Sequence, residues 1–202
     1  LFDNKIKFAY DRLPGGLSKA VVAEEDNARK LVFSNGSSIT VGTSLRGGTF
    51  QKLHVSEYGK ISAKNPEKAR EIKTGAFNTV HAGQQIFVES TAEGQSGEFF
   101  NLVKEARRLQ DEGTPLTPLN PRFHFYPWFM NPEYTLDEAT SQFVTLSPED
   151  KKYFRELLKD ENIFLTPGQK AWYASKSKIM GEDMLREFPA TPEESFAASV
   201  AG

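Results

Sequence analysis

The spacing of apolar and polar residues along the chain predicts the elements of its fold. Residues 53–55 and 86–88 are short, mostly apolar runs, and such runs are typical of buried strands in parallel sheets. Between them, residues 66–80 place apolar side chains at helical spacing. A strand, a helix and a second strand of this length predict a right-handed parallel crossover.

An antiparallel hairpin is predicted before the first of these strands. Asn35-Gly36 separates the runs 30–33 and 38–41, and both turn positions tolerate a positive φ. A further strand is predicted at residues 122–128, RFHFYPW, because aromatic and polar residues alternate there. The aromatic density of this run suggests base stacking, but the alternation favours packing of these rings against the sheet.

The last third of the chain predicts helices. Residues 147–150, 166–169 and 191–194 each combine a hydroxyl N-cap, a proline and an acidic or amide side chain, which is the pattern of a helix start. Ser96 is the predicted N-cap of an earlier helix. The second of the three late helices is predicted to bury one face, made of Trp172, Ile179, Met180, Leu185 and Phe188. The pattern as a whole predicts an α/β domain with a sheet-containing core, 1–128, and a helical part, 129–202.

Polar residues follow both predicted parallel strands. Ser56 and Glu57 come directly after the first strand, and Ser90 and Thr91 come shortly after the second. The carboxyl ends of parallel strands are where α/β sheets bind ligands. A carboxylate at such a strand end suits chemistry on a bound phosphate.

Composition limits the possible functions without choosing among them. The chain has 202 residues, a net charge of -2 and no cysteine, which excludes disulfides and cysteine-bound zinc. Contact with DNA would need a local basic patch, and Lys104, Arg107 and Arg108 are more typical of a solvated helix face. No apolar run approaches the roughly 18 residues of a membrane helix. The simplest interpretation is a soluble intracellular protein with no membrane contact.

Three segments in combination resemble the ATPase domain of the large terminase subunit, the motor that drives viral DNA into capsids of tailed bacteriophages. They are RGGTFQKLHVSEYGKI, IFVESTAEG and REFPATPEESF, at 46–61, 86–94 and 186–196. The first is similar to a Walker B strand with its catalytic glutamate, the second to the coupling motif, and the third to the end of the ATPase domain. The resemblance implies a three-layer, P-loop NTPase-like (ASCE) fold with a central, mostly parallel sheet.

The resemblance also implies roles for particular residues. Glu57 would orient the water that attacks ATP, and Ser90 and Thr91 would sense the γ-phosphate. Arg46 matches the position of an arginine finger that reaches the ATP of a neighbouring subunit, a device that supplies large rate factors. Ser56 stands where wider P-loop enzymes carry an aspartate, so it would hold Mg²⁺ only through a water.

The chain departs from the family at the phosphate loop. The pattern G-x-x-x-x-G-K-[ST] does not occur in the 202 residues, although this loop provides most of the grip on ATP. We therefore expect a partial ATPase domain, either an excised piece or the product of a decayed prophage. ATP and Mg²⁺ would bind the intact parent protein, and neither is expected to bind this chain tightly.

The partners implied by the resemblance are double-stranded DNA, the portal protein and the small terminase subunit. The intact protein would form a homo-oligomeric ring on the capsid, in the cytoplasm of the bacterial host. Two alternatives stay open. One is a non-catalytic prophage remnant or interaction module that retains the fold. The other is a metal-dependent nuclease built from Glu57, Glu89 and Glu93, since two-metal sites cluster carboxylates.

Overall fold

The structure, a computed structural model, describes residues 2–43, 45 and 47–197. The chain separates into two compact units, Leu1–Gly48 and Thr49–Gly202. The first contains a three-stranded antiparallel sheet, and the second contains a two-stranded parallel sheet and the longer helices. The predicted α/β class is confirmed, although its parallel and antiparallel strands belong to separate small sheets.

The first unit contains the predicted hairpin. It begins with π-helical turns at Phe2–Lys7, and its further elements are α1 (Phe8–Tyr10), α2 (Gly15–Ala20), β1 (Ala23–Asn27), β2 (Lys30–Phe33) and β3 (Ser38–Thr40). Strand β2 pairs with β1 and β3, antiparallel to both. Gly36 has a φ of +80° in the turn between β2 and β3, and the Asn35 side chain accepts a hydrogen bond from the Ser37 amide.

The core of the first unit is small. Leu31 and Phe33 are buried on β2, and the ring of Tyr10 lies 5.5 Å from that of Phe33. The Tyr10 hydroxyl donates a hydrogen bond to the Val21 carbonyl and accepts one from the Ala23 amide. These bonds fasten the N-terminal helical turns to the start of β1.

The second unit begins with the predicted parallel crossover. Its elements are β4 (Lys52–Ser56), α3 (Tyr58–Lys64), α4 (Pro66–Glu71), a π segment (Ile72–Ala76), a 3₁₀ turn (Phe77–Thr79), β5 (Gln85–Glu89) and α5 (Gly97–Asp111). Strands β4 and β5 pair in parallel, with Leu53 opposite Ile86. The predicted helix at 66–80 is confirmed as one helical run whose buried residues are Ala69, Ile72, Ala76 and Thr79.

The parallel sheet is covered unevenly. Leu53 and Val55 are buried on one face of β4. On the other face, His54 and its neighbour Phe87 are exposed, with 53% of Phe87 accessible to solvent. Strands of parallel sheets are usually buried on both faces. Here one face is exposed to solvent although it carries the apolar side chain of Phe87.

The helical part surrounds a dense aromatic core. Its elements are a 3₁₀ turn (Trp128–Met130), α6 (Glu138–Ser141), α7 (Pro148–Asp160), α8 (Pro167–Met180), a 3₁₀ turn (Gly181–Asp183), α9 (Met184–Glu187) and α10 (Pro192–Ala197). Ser147 and Thr166 form the predicted capping boxes of α7 and α8. What we call the aromatic core cluster comprises Trp128, Phe154, Leu157, Leu165, Tyr173, Met184 and Ala190.

The predicted strand at 122–128 is wrong. Residues 121–127 have no regular secondary structure, and Trp128 begins a 3₁₀ turn. The alternation itself is present, because Phe123 and Phe125 are half-buried and their rings stack with centroids 6.4 Å apart. Pro121 and Pro127 carry no amide hydrogen, and among the described residues this segment pairs with no neighbouring strand.

Within the residues that the structure describes, no helix combines the length and apolar composition needed to cross a membrane.

Candidate functional site

The ends of the two parallel strands meet at one edge of the sheet. Ser56, the last residue of β4, lies opposite Glu89, the last residue of β5, and Glu57 follows directly. Gly59, two residues further on, touches the segment that follows β5. A Cβ added at Gly59 would lie 2.6 Å from the Thr91 carbonyl oxygen and 2.8 Å from Ser90 Oγ. Ser56, Glu57, Ser90 and Thr91 are therefore neighbours, and together we call them the strand-tip site.

Glu57 makes the turn from strand to helix in an unusual backbone conformation. Its φ of 58° and ψ of 34° are left-handed, and in the described part of the chain only Asn162 shares a positive φ among residues other than glycine. A left-handed residue with a Cβ costs about 1–2 kcal/mol. Strain of this kind is retained where the surroundings enforce it, and it is concentrated at functional sites.

Tyr58 explains why the chain accepts this turn. Its side chain is 1% exposed, and its hydroxyl donates a 2.9 Å hydrogen bond to the Ala69 carbonyl. The ring packs near Phe77 and edge-on to Phe99. Burial raises the pKa of Tyr58 to about 12, and the charge of Glu98 adds to the effect. The buried tyrosine holds helix α3 down, and the Glu57 side chain is left exposed at the edge.

Ser90 carries the other notable group of the site. Its Oγ is buried and has no hydrogen-bond partner in the described structure. A buried polar group without a partner costs about 1–3 kcal/mol, and each such group in a native structure calls for an explanation. The hydroxyl lies beside Gly59, where any larger residue would fill the space. Because this oxygen is buried against Gly59, a ligand would reach the donor only if that contact opened.

The carboxylates proposed for a nuclease are not gathered. Glu89 lies 3.4 Å from His54 Nε2 on the exposed sheet face, whereas Glu93 pairs with Arg186 at 3.7 Å. Across residues 2–43, 45 and 47–197, no group of three His, Asp or Glu side chains is arranged to hold a metal ion. The nuclease alternative therefore has no ligand set here, and a role for Ser56 toward Mg²⁺ through water stays a prediction.

Arg46, the proposed arginine finger, lies outside the described residues, so its role also stays a prediction. Two of the three basic residues of α5, Arg107 and Arg108, are engaged by acidic neighbours, and Lys104 is exposed on the same helix. Arg107 pairs with Glu193, and Arg108 pairs with Glu105 at 2.8 Å and with Glu112 at 2.6 Å. This helix face therefore offers little free positive charge to DNA.

The segment FPATPEESF forms the start of α10 and contacts the helical part. Thr191 Oγ1 accepts a hydrogen bond from the Glu194 amide. The Glu194 carboxylate accepts one from the Ala190 amide at 2.7 Å and one from the Tyr153 hydroxyl at 3.1 Å. Burial raises the pKa of Glu194 above its ordinary value, against the effect of these hydrogen bonds.

The same short helix also contacts α5, which follows the strand-tip site in sequence. Glu193 pairs with Arg107, and the ring of Phe196 lies 6.3 Å from Phe99 and 5.2 Å from Phe100. Helix α10 thus joins the sheet region to the aromatic core cluster.

Three residues that shape this region, Tyr58, Arg186 and Ser62, were not predicted from the sequence. Tyr58 resembles any apolar helix residue, and Arg186 meets Glu93 across a long stretch of chain. Ser62 replaces the predicted cap of α5: Ser96 makes no side-chain cap bond, and the Phe99 amide donates instead to Ser62 Oγ, at 3.2 Å. A hydrophobic or charged side chain in a helix carries no local signal of a distant partner.

Comparison with protein-family models, with curated proteins and with solved structures finds no match for this chain. The functional argument therefore rests on the strand-tip site itself.

Proposed function

We propose that this chain is part of an ATP-hydrolysing motor domain of the large terminase type, which drives double-stranded DNA into a viral capsid. One observation carries the proposal: Glu57 occupies a strained strand-to-helix turn, and Gly59, two residues further on, packs against Ser90, whose buried hydroxyl has no partner. Phosphoryl transfer needs a group that orients the attacking water and groups that contact the phosphate. The strand-tip site supplies candidates for both.

In this proposal, Glu57 accepts a proton from the water as its oxygen attacks the γ-phosphorus. The bond between that phosphorus and the bridging oxygen of ADP breaks, which yields ADP and inorganic phosphate. When the contact with Gly59 opens and exposes its buried Oγ, Ser90 donates to a γ-phosphate oxygen, and Thr91 shares this role from the same strand end. Mg²⁺, when bound, would neutralise charge on the phosphates, and Ser56 would hold one of its waters.

The exposed face and the unpaired edge of the parallel sheet also support the proposal. A P-loop-like sheet needs further strands and helices on both faces, and here Ile86 and Phe87 of β5 are exposed. The Gln85 amide points toward β4, where it bonds the Gln51 carbonyl. Because backbone groups alternate in direction along a strand, Ile86 and Val88 direct theirs to the opposite edge. That edge has the chemistry to accept another strand, such as one that leads into a phosphate loop.

The test uses the full product of the gene and measures Mg-ATP hydrolysis. Glu57→Gln should lower kcat by about 10²–10⁴, the range for loss of a general base, while the affinity for ATP is retained. Glu89→Gln is the matched control, since Glu89 is an exposed carboxylate at the end of the neighbouring strand, and it should leave kcat unchanged. No hydrolysis by the parent protein, or equal activity in Glu57→Gln, would reject the ATPase.

The chain of 202 residues is expected to bind ATP weakly by itself, because it has no phosphate loop. Calorimetry with Mg-ATP should detect no binding at concentrations of about 1–10 μM, well below the Kd range expected without that loop. Micromolar binding would show that the phosphate site lies elsewhere and would remove the roles assigned to Ser56, Glu57 and Thr91.

Assembly belongs to the same proposal. In a homo-oligomeric ring on the portal protein, Arg46 of one subunit would contact ATP bound by the next. Arg46→Ala should lower kcat by roughly 10³ or more, and mixing it with Glu57→Gln should restore part of the activity. A mixture that stays inactive at every ratio would contradict action between subunits. DNA, the small terminase subunit and the bacterial cytoplasm complete the proposed setting.

The second candidate, a non-catalytic interaction module, is favoured by a different observation. Several large apolar side chains of the helical part are exposed, among them Phe143 at 81%, Phe164 at 76% and Ile179 at 81%. Exposed apolar residues of this size suit contact with another protein. Absence of ATP hydrolysis in the full gene product, together with retained folding of this chain, would favour this candidate.

A further inference from the structure

The segment that carries Ser90 and Thr91 is fastened on two sides. Residues 90–96 connect β5 to α5. On one side, the segment packs against Gly59, as the contacts of Ser90 and Thr91 show. Ala92 is 4% exposed, so its methyl group is buried as well. What fastens the other side is a charged pair.

Glu93 is that second fastening point. Its side chain is only 8% exposed, and it pairs with Arg186 Nη1 at 3.7 Å. A carboxylate removed from water costs several kcal/mol unless a partner compensates for the lost hydration. Since Arg186 is the cation that the structure brings to Glu93, the position of the segment depends on this arginine.

Arg186 is itself held in a defined orientation. Its Nη2 lies 2.9 Å from Asp183 and 3.1 Å from Glu187, two acidic residues of its own turn. The guanidinium is planar and presents several donors at fixed angles. The two ion pairs, together with the hydrogen bond that Nε donates to Glu187 at 3.2 Å, therefore direct the remaining donor, Nη1, toward Glu93.

The turn that carries Arg186 is anchored in the aromatic core cluster. Met184, two residues earlier, is 3% exposed and belongs to that cluster. The chain of contacts thus runs from the cluster through Met184 and Arg186 to Glu93, and along the backbone to Thr91 and Ser90.

We propose that Arg186 is a positioning residue that holds the hydroxyls of Ser90 and Thr91 at the strand-tip site through its ion pair with Glu93. The functional part of this inference rests on the proposed ATPase. When the pair is intact, the segment that carries both hydroxyls is held in one arrangement against the helical part. When it is broken, the segment detaches from the helical part and the hydroxyls lose that arrangement.

The first experiment needs no ATP. In the 202-residue chain, hydrogen exchange of peptides covering residues 90–96 is measured by mass spectrometry for wild type, Arg186→Gln and Glu93→Gln. Each variant should exchange roughly tenfold faster in this segment, as expected for a local opening that has lost its tie. The exchange rate in Arg186→Lys should lie between those of wild type and Arg186→Gln, because lysine keeps the positive charge but lacks the planar, multi-donor guanidinium.

Arg107→Gln is the matched control. It breaks another long-range pair, with Glu193, but leaves the segment 90–96 untouched, so exchange there should stay at the wild-type rate. Unchanged exchange in Arg186→Gln, or equal acceleration in Arg107→Gln, would overturn the inference. If Arg186→Gln does not fold, Glu93→Gln and Arg186→Lys give the same comparison.

The second experiment uses the full gene product. Arg186→Gln should lower kcat by about 10- to 100-fold, the scale of a misplacement near 1 Å, with KM for ATP within about twofold. Glu93→Gln should match it, and the double variant should be no worse than either, because the two residues act as one unit. Additive losses would overturn the positioning role.

The two experiments separate the two proposals. If exchange at residues 90–96 is faster in Arg186→Gln but the wild-type gene product does not hydrolyse ATP, the role of the Arg186–Glu93 ion pair is supported and the ATPase proposal is rejected. If exchange in Arg186→Gln equals that of wild type while the wild-type gene product hydrolyses ATP, the ATPase proposal is supported and the role of the ion pair is rejected.

Discussion

The parallel sheet and the aromatic core cluster of the second unit bury their apolar residues to very different extents. In the cluster, Trp128 is 3% exposed, and its ring lies 5.4 Å from Trp172 and 5.1 Å from Tyr173. In the sheet, Phe87 is 53% exposed and Ile86 is 38% exposed. The aromatic core cluster is densely packed, although Trp128 Nε1 is buried without a hydrogen-bond partner, whereas the sheet has one exposed face and one unpaired edge in the described structure.

The contrast shows which region supports the fold and which is available for ligands or partners. Apolar burial stabilises a protein by roughly 25 cal/mol per Å², so most of the stability of this unit should come from the helical part. The sheet places strained Glu57 and unpaired Ser90 at its edge, and both features cost stability. A packed helical region can support a strained site that could not support itself.

The largest expected effect separates the two regions directly. Trp128→Ala removes a buried indole from the aromatic core cluster and should lower the free energy of unfolding by about 3–5 kcal/mol. Phe87→Ala removes an aromatic ring that is about half exposed to solvent. This change should alter the free energy of unfolding by less than about 0.5 kcal/mol. Urea unfolding followed by circular dichroism measures both. Similar losses of unfolding free energy for the two variants would contradict the conclusion that the aromatic core cluster contributes more to stability than the sheet.

Two glycines test whether close packing is equally strict in both regions. A Cβ at Gly168 would lie 2.3 Å from the Leu136 carbonyl oxygen, and one at Gly59 would lie 2.6 Å from that of Thr91. Each change to alanine should cost about 1–3 kcal/mol through overpacking. Only Gly59→Ala displaces the strand-tip site, so only that variant should also reduce ATP turnover in the full gene product. Loss of turnover in Gly168→Ala at a temperature where it is folded would contradict this separation.

Helix caps give a smaller and sharper contrast. Ser147→Ala removes a local capping box and should cost about 1 kcal/mol. In the sheet region, Ser62→Ala should cost about as much, because Ser62 accepts from the Phe99 amide, while Ser96→Ala should be nearly neutral for helix α5. Thermal unfolding of the three variants ranks them. A larger loss for Ser96→Ala than for Ser62→Ala would mean that α5 is capped locally after all.

The smallest effects concern α10, which contacts both regions. Burial raises the pKa of Glu194, so its contribution to stability is present below the ordinary carboxyl pKa and is lost as pH rises through the folded-state value. Glu194→Gln should therefore gain stability relative to wild type over the pH range that starts at the ordinary carboxyl pKa and extends upward. Denaturant unfolding across this range measures the difference.

Glu193, on the side of α10 that faces α5, should show the opposite sign. Its hydrogen bond from Arg107 lowers the pKa of Glu193, so its contribution is present above the ordinary value and is lost as pH falls. Glu193→Gln should be less stable than wild type near neutral pH and should approach wild type in acid. If both variants differ from wild type in the same direction near neutral pH, the two carboxylates do not contribute to stability with opposite pH dependence.

Local chemistry let the sequence alone determine several parts of this protein. The hairpin at Asn35-Gly36 follows from Gly36, which takes a positive φ, and from Asn35, whose side chain accepts the Ser37 amide. The capping boxes at Ser147 and Thr166 follow from bonds between residues three positions apart. The parallel strands β4 and β5 follow from short apolar runs joined by a helix of suitable length. Parallel pairing then requires both polar strand ends to lie at one edge, so most of the strand-tip site was predictable.

Tertiary contacts decided the rest. Ile179 was predicted to be buried on α8, yet it is 81% exposed, and Met184 of α9 fills the core instead. The helix ends where Gly181 adopts a φ of 57°, so the periodicity that seemed to continue belongs to a different element. Residues 122–128 alternate as a strand would, but no strand forms there, because none of the strands in the described part of the chain pairs with them.

The site shows the same division. Its position could be predicted from residues 53–57 and 86–91, but the left-handed turn at Glu57 depends on the burial of Tyr58 against Phe77 and Phe99. The orientation of the Ser90 segment depends on Arg186, which is remote in sequence. Hydrogen bonds and turns within a few residues are encoded by those residues alone, because the chain holds the partners together. Contacts between distant residues form only when the whole unit folds, because only then does packing offset the entropy of bringing them together.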